Sequence, residues 1–173
     1  MRRCARALAG VAPAVMLLTS CHLTPPTTMY AGFRMDGSEL VVAMPVCRDE
    51  TITGAAVHVR TEDDKKISSE TLWSAREPRT AEARTGVFRV NSPRDFATVT
   101  EQLSGALPDE FYVETLQERK GEAGSASGYV DLAELKSADL ADGEFVTHEG
   151  KIMTRAEINA QHPCNQRRKT TAP

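Results

Sequence analysis

The sequence predicts a mainly β domain, a β-sandwich closed by a short C-terminal helix. Three observations predict it. Asp36-Gly37 stands between two apolar runs, a strong short-range signal for a β-hairpin. Runs alternating apolar and polar residues follow one another, separated by polar turn clusters. One capping box lies near the C-terminus, where the period changes from strand to helix.

Taken in order, Tyr30–Met35 and Glu39–Val46 are the arms of the first hairpin. Next comes a run with Ala55, Val57 and Val59 on one face and Ala56, His58 and Arg60 on the other. Glu70–Ala75 and Gly86–Asn91 read as further strands, with polar turns at Glu62–Lys66 and Arg76–Thr85. Strict alternation places Leu72 and Trp73 on opposite faces, and the larger Trp73 is assigned to the core.

Asp95–Gln117 carries mixed signals. Ser92 before Pro93 could cap a helix bearing Phe96, Val99 and Leu103, whereas Thr98 and Thr100 favour a strand, and strand is chosen. The stretch Leu107-Pro108-Asp109-Glu110-Phe111-Tyr112-Val113 resembles the corner between two late strands of a fibronectin type III domain, a resemblance that implies an immunoglobulin-like sandwich. Gly121–Gly128 (GEAGSASG) is expected to be a loop, followed by a short strand at Tyr129–Leu132. Thr154 and Glu157 form the capping box, with Met153 and Ile158 at the flanking staple positions. That helix must stop near His162, because Pro163 disfavours a helical residue before it.

The N-terminus carries a different kind of information. Arg2, Arg3 and Arg6 precede an apolar run, Ala7–Leu18, that is shorter than the ~20 residues needed to span a bilayer. It ends in Leu18-Thr19-Ser20-Cys21. A Leu three residues before a Cys resembles the lipobox of bacterial lipoproteins. The resemblance implies cleavage after Ser20 and lipidation of Cys21. Fifteen arginines against six lysines, with abundant alanine, point to a GC-rich genome, and the chain resembles the uncharacterised surface lipoproteins of high-GC Gram-positive bacteria.

On that reading residues 1–20 are a signal peptide, 21–28 a tether, 29–164 one extracytoplasmic domain and 165–173 a disordered tail. The tether extends over only about 20–25 Å, so the domain is expected close to the outer face of the cell membrane. Loss of the leader leaves 153 residues, enough for one core, with 18 basic against 24 acidic residues. Such an acidic domain has no electrostatic footprint for nucleic acid.

Cys4 leaves with the leader and Cys21 is lipidated, so Cys47 and Cys164 remain to pair in an oxidising compartment. The competing reading, a metal site of Cys47, His162 and Cys164, lacks C-x2-C spacing. Glu62-Asp63-Asp64 lacks the alternating ligands and glycine turn of a calcium loop. The glycine loop fits neither a phosphate cradle nor a nucleophile elbow, and no histidine pair has metal or catalytic spacing. No cofactor, metal or catalytic residue is assigned. The functional expectation is a membrane-anchored binding or accessory module with a protein or envelope partner. The alternative is a secreted-face hydrolase with a dispersed site.

The lipobox reading has a direct test. Two or more acyl chains hold a protein stably on a membrane, so the wild type should sediment with membranes and Cys21→Ala should accumulate as uncut precursor. Mass spectrometry showing an unmodified N-terminus at any other residue would overturn it.

Overall fold

The computed structural model describes residues 29–63 and 66–166. The expected signal peptide, the expected tether with Cys21 and the basic end at Arg167–Lys169 lie outside the described residues. Two antiparallel five-stranded sheets face each other as a β-sandwich, with three short helices. Sheet A runs β10 (Ile152–Thr154), β9 (Glu144–Val146), β1 (Gly32–Asp36), β2 (Glu39–Ala43), β5 (Val87–Arg89). Sheet B runs β6 (Phe96–Glu101), β4 (Lys66–Pro78), β3 (Glu50–Asp63), β7 (Glu110–Arg119), β8 (Glu122–Asp131). The helices are α1 (Ala81–Arg84), α2 (Leu132–Ser137) and α3 (Arg155–Ala160).

The first hairpin forms as expected. Asp36 pairs with Glu39, which leaves Gly37-Ser38 as the two-residue turn, and Gly37 supplies the positive φ of 62°. Between the sheets lie Phe33, Leu40 and Val42 from sheet A and Val57, Trp73, Phe111 and Val113 from sheet B. Phe96 meets Trp73 and Phe88 edge-on, with ring centroids 5.8 and 5.5 Å apart. Each such pair contributes ~0.5–1.5 kcal/mol beyond its buried area.

A second, smaller core lies on the other side of sheet A. Val41, Ala43, Phe145 and Ile158 are buried there, with Val87 and Met153 packed against them. Helix α3 is the cover. Its capping box is complete: Thr154 accepts from the Glu157 amide, and Glu157 accepts from the Thr154 amide at 2.7 Å. Those hydrogen bonds hold the Glu157 carboxyl below its usual range. Glycine is required beneath the helix. A Cβ at Gly32 would stand 2.5 Å from Ile158 Cδ1 and 2.6 Å from Phe145 Cβ. The middle of sheet A is therefore buried on both faces, which explains why Leu40–Ala43 is an unbroken apolar run rather than an alternating one.

Cys47 and Cys164 are joined as expected, with Cα atoms 5.8 Å apart. The helix does not depend on that bond and three apolar residues alone. Asn159 Oδ1 accepts from the Val46 amide, and Gln161 exchanges two hydrogen bonds with the Tyr30 backbone. Arg155 donates to the carbonyls of Met44 and Thr85, and burial pushes its guanidinium down to about 10. Asn165, expected to begin the tail, donates to the carbonyls of Val46 and Asn159 and accepts from the Arg48 amide.

Three expectations are corrected. GEAGSASG is not a loop: the turn is Lys120-Gly121, at φ 53° and 84°, and β8 then pairs residue for residue with β7. Pairing to a long neighbour overrides the poor strand propensity of Gly and Ser. Gly128 is there for space, since a Cβ would come within 2.6 Å of Ala31 Cβ. Leu132 does not end a strand but opens α2, whose cap Asp131 accepts from the amides of Ala133 and Glu134. Within the turn expected at Arg76–Thr85, β4 continues to Pro78 and Thr80 caps the single turn of α1. The Leu107–Val113 corner returns the chain across β4 and β3 to β7, within one sheet.

The bridge closes a loop of 117 residues, so its removal mainly enlarges the unfolded ensemble, by about 4–5 kcal/mol of loop entropy. Paired Cys47→Ser and Cys164→Ser replacement should lower stability by that amount in denaturant titration. It should leave the Ile158 methyl resonances of the folded protein unchanged. Loss of those resonances from their native positions would mean that α3 is held by the sulfurs alone.

Candidate functional site

With sheet A sealed by α3, the outer face of sheet B is the broad open face of the sandwich. Its strands break regular pairing in three places. Val57 pairs with Trp73 and His58 with Thr71, so Leu72 is an extra residue on β4. Ser74 pairs with Glu101 and Ala75 with Val99, so Thr100 is extra on β6. Ile52 pairs with Gln117 and Gly54 with Leu116, so Thr53 is extra on β3.

The first two of these β-bulges shape the site. In a regular strand, residues an odd number apart lie on opposite faces. The bulge at Leu72 breaks that rule, and Thr71 and Ser74, three residues apart, both line one outer depression. It also settles the conflict between Leu72 and Trp73. Trp73 is fully buried and Leu72 packs against the same core, so neither has to face solvent. Trp73 is the core plug expected of it, although its indole N–H finds no acceptor. An unmet buried donor of that kind costs about 1–3 kcal/mol, which the T-shaped contact with Phe96 and the ring's burial offset.

The depression encloses about 220 Å³. Its floor is Ala56 on β3, which pairs with Ser74 on one side and Glu114 on the other. His58 stands at one end. Its Nδ1 lies 3.1 Å from Thr71 Oγ1. Its Nε2 lies 3.2 Å from Glu114 Oε2 but makes no directed hydrogen bond. The pair is therefore an electrostatic contact with hydrogen-bonding capacity to spare. Across the floor, Ser74 Oγ and Thr100 Oγ1 are 2.7 Å apart. Arg76 and Leu116 complete the wall.

The row through His58 continues along the sheet. His58 pairs with Tyr112 and Tyr112 with Tyr129, whose ring centroids are 5.3 Å apart. The Arg60 guanidinium lies 5.3 Å from the Tyr112 ring centre. Loss of water around the Tyr129 hydroxyl, with the Glu110 carboxylate facing it, pushes that phenol up to about 12. Together these groups offer hydroxyls that donate or accept, a carboxylate, an imidazole, a guanidinium and ring faces.

The residues singled out in the sequence fall elsewhere. Cys21 lies outside the described residues. The Cys47 and Cys164 sulfurs and a His162 ring nitrogen are within 4.8 Å of one another, but the sulfurs are bonded to each other rather than free as thiolates. His148 stacks on Tyr30 at 5.3 Å, beside the Tyr30–Glu149 hydrogen bond, where the chain enters the domain. His58 was expected on a polar face and lies there. Its partner Glu114 is far away in the chain and has no spacing motif to reveal it. No protein-family model, curated protein or solved structure matches this chain.

Tyr129 provides a check on this surface. Its folded pKa lies above the ordinary value of 10.0, so the neutral phenol is favoured by folding. The stability it contributes is complete below pH ~10 and lost as the pH rises through about 12. In an alkaline titration of phenolate absorbance, Glu110→Gln should move one tyrosine back toward 10. An unchanged titration would dissociate Tyr129 from Glu110.

Proposed function

We propose that this chain is a membrane-anchored extracytoplasmic binding or accessory module, held by lipid on Cys21, that engages a protein or envelope partner through the outer face of sheet B. One observation carries the reading: the bulges on β4 and β6 help gather polar side chains from four strands around a small-residue floor on the open face. Bulges concentrate where a sheet must re-aim side chains at a functional position. Large exposed apolar side chains are confined, among the described residues, to Val99 and Ile152. Recognition by this face is therefore polar, and it does not depend on an apolar patch. The chain enters at Tyr30 on the α3 side, tied to Gln161, so a tether there leaves sheet B free to meet its partner.

The hydrolase alternative has one observation in its favour, the line Thr71–His58–Glu114 of hydroxyl, imidazole and carboxylate. In that reading His58 would take the Thr71 proton while Glu114 balances the charge.

A photo-reactive residue placed at Ala56 in the full-length lipoprotein should cross-link to an envelope component in living cells, and one at Ile152 on sheet A should not. Equal labelling at both positions, or labelling at Ile152 alone, would remove sheet B from the proposal. Turnover of envelope esters by wild type but not by His58→Ala would replace binding with catalysis.

A further inference from the structure

Resting on that reading, we propose that the depression over Ala56 binds a glycan, with a sugar unit seated among Ser74, Thr100, Thr71 and Glu114 and the chain running on toward Tyr129. A sugar presents adjacent hydroxyls, each both donor and acceptor, and one flatter face of C–H bonds. The depression answers both features. Its hydroxyls are held by groups that can release them: Ser74 Oγ and Thr100 Oγ1 bond to each other, Thr100 Oγ1 also donates to the Ser74 carbonyl at 3.3 Å, and Thr71 Oγ1 bonds to His58. A hydroxyl held by another hydroxyl can rotate to donate or accept, so exchange for a sugar hydroxyl leaves no buried group unmet.

The charged groups have the same character. Glu114 is about a third exposed and accepts only; Arg76, across the depression, donates only. A carboxylate binds adjacent donors and a guanidinium adjacent acceptors, and neighbouring sugar hydroxyls supply either. Both signs of charge in one small hollow disfavour a strongly anionic or cationic ligand and suit one that is neutral and polyhydroxylated. Beyond His58, the Tyr112–Tyr129 pair offers ring surface one strand further on. Arg60 lies over the Tyr112 ring, which leaves Tyr129 as the available platform.

The small floor residue sets the size. Ala56 is the central position of its row, flanked by Ser74 and Glu114, and any larger side chain there fills the hollow. Peptides are the competing occupant. They carry N–H and C=O groups that favour an exposed strand edge, whereas this hollow is centred on Ala56 of β3, the middle strand of sheet B, which is paired on both sides.

The test uses the full mature lipoprotein in detergent micelles. One arm presents neutral oligosaccharides released from the host's envelope by mild acid; the other presents tryptic peptides of its envelope proteins. Retention of oligosaccharide is expected, with affinity reduced at least tenfold by Ala56→Trp and also by the milder pair Ser74→Ala and Thr100→Val. Circular dichroism of both variants should match wild type. If peptides are retained in an Ala56→Trp-sensitive way and sugars are not, the glycan inference fails while the binding face stands. If neither probe is retained, or retention ignores both variants, the glycan inference is overturned. The cross-linking pattern at Ala56 then judges the binding face separately.

Discussion

Ile158 presses into the space left by the missing side chain of Gly32, and that contact determines how the two sheets divide their tasks. A sandwich of two sheets has two outer faces, both normally wet. Here α3 closes one of them, because Gly32 lets the helix come near enough for Ile158 to be fully buried against Phe145. Sheet A becomes the inner layer of a three-layer structure. Sheet B keeps the broader open face.

The closure is reinforced by different kinds of interaction whose strengths do not scale alike. The capping box starts α3, Arg155 and Asn159 tie it to the turn after β2, and the Cys47–Cys164 bond fixes the chain beyond its end. The hydrogen bonds act on the folded state, each contributing roughly a kcal/mol net. The disulfide acts on the unfolded state and carries more than any one of them. The arrangement includes an opposing cost. Arg155 is half-buried against carbonyls rather than a carboxylate, so backbone dipoles take the place of a counter-charge. Gly86 beside it has no room for a Cβ, which would lie 2.6 Å from Val46 Cγ2, 2.7 Å from the Met44 carbonyl oxygen and 2.9 Å from that guanidinium.

On the open sheet, the shape of the surface and the packing of the core are coupled through the same irregularities. The bulge at Leu72 adds an apolar residue to the core while turning Thr71 outward to His58. The bulge at Thr100 brings its hydroxyl to both the side chain and the carbonyl of Ser74. A straight ladder would have sent one of each pair to the wrong face. The depression over Ala56 is thus a consequence of how the core is filled, and the two cannot be altered independently.

Much of the fold was legible because local chemistry is strong there. The Gly37 turn, the alternating faces of β3 and the capping box at Thr154 follow from backbone freedom or period, which are properties of short segments, and the pairing of Cys47 with Cys164 was expected from the count of cysteines left to pair. The sequence by itself therefore determined a β-sandwich and its closing helix, and it favoured the core for Trp73, which the bulge at Leu72 then settled. Tertiary structure decided the rest. GEAGSASG became a strand because β7 offered it a partner along its whole length, and a partner's geometry outweighs weak local preference. Asp131 capped a helix whose buried residues, Leu132 and Leu135, matter only once a core exists to receive them. The site was hidden for the same reason. His58, Thr71 and Glu114 lie on three strands, and a bulge is a relation between two strands that neither strand's own sequence contains.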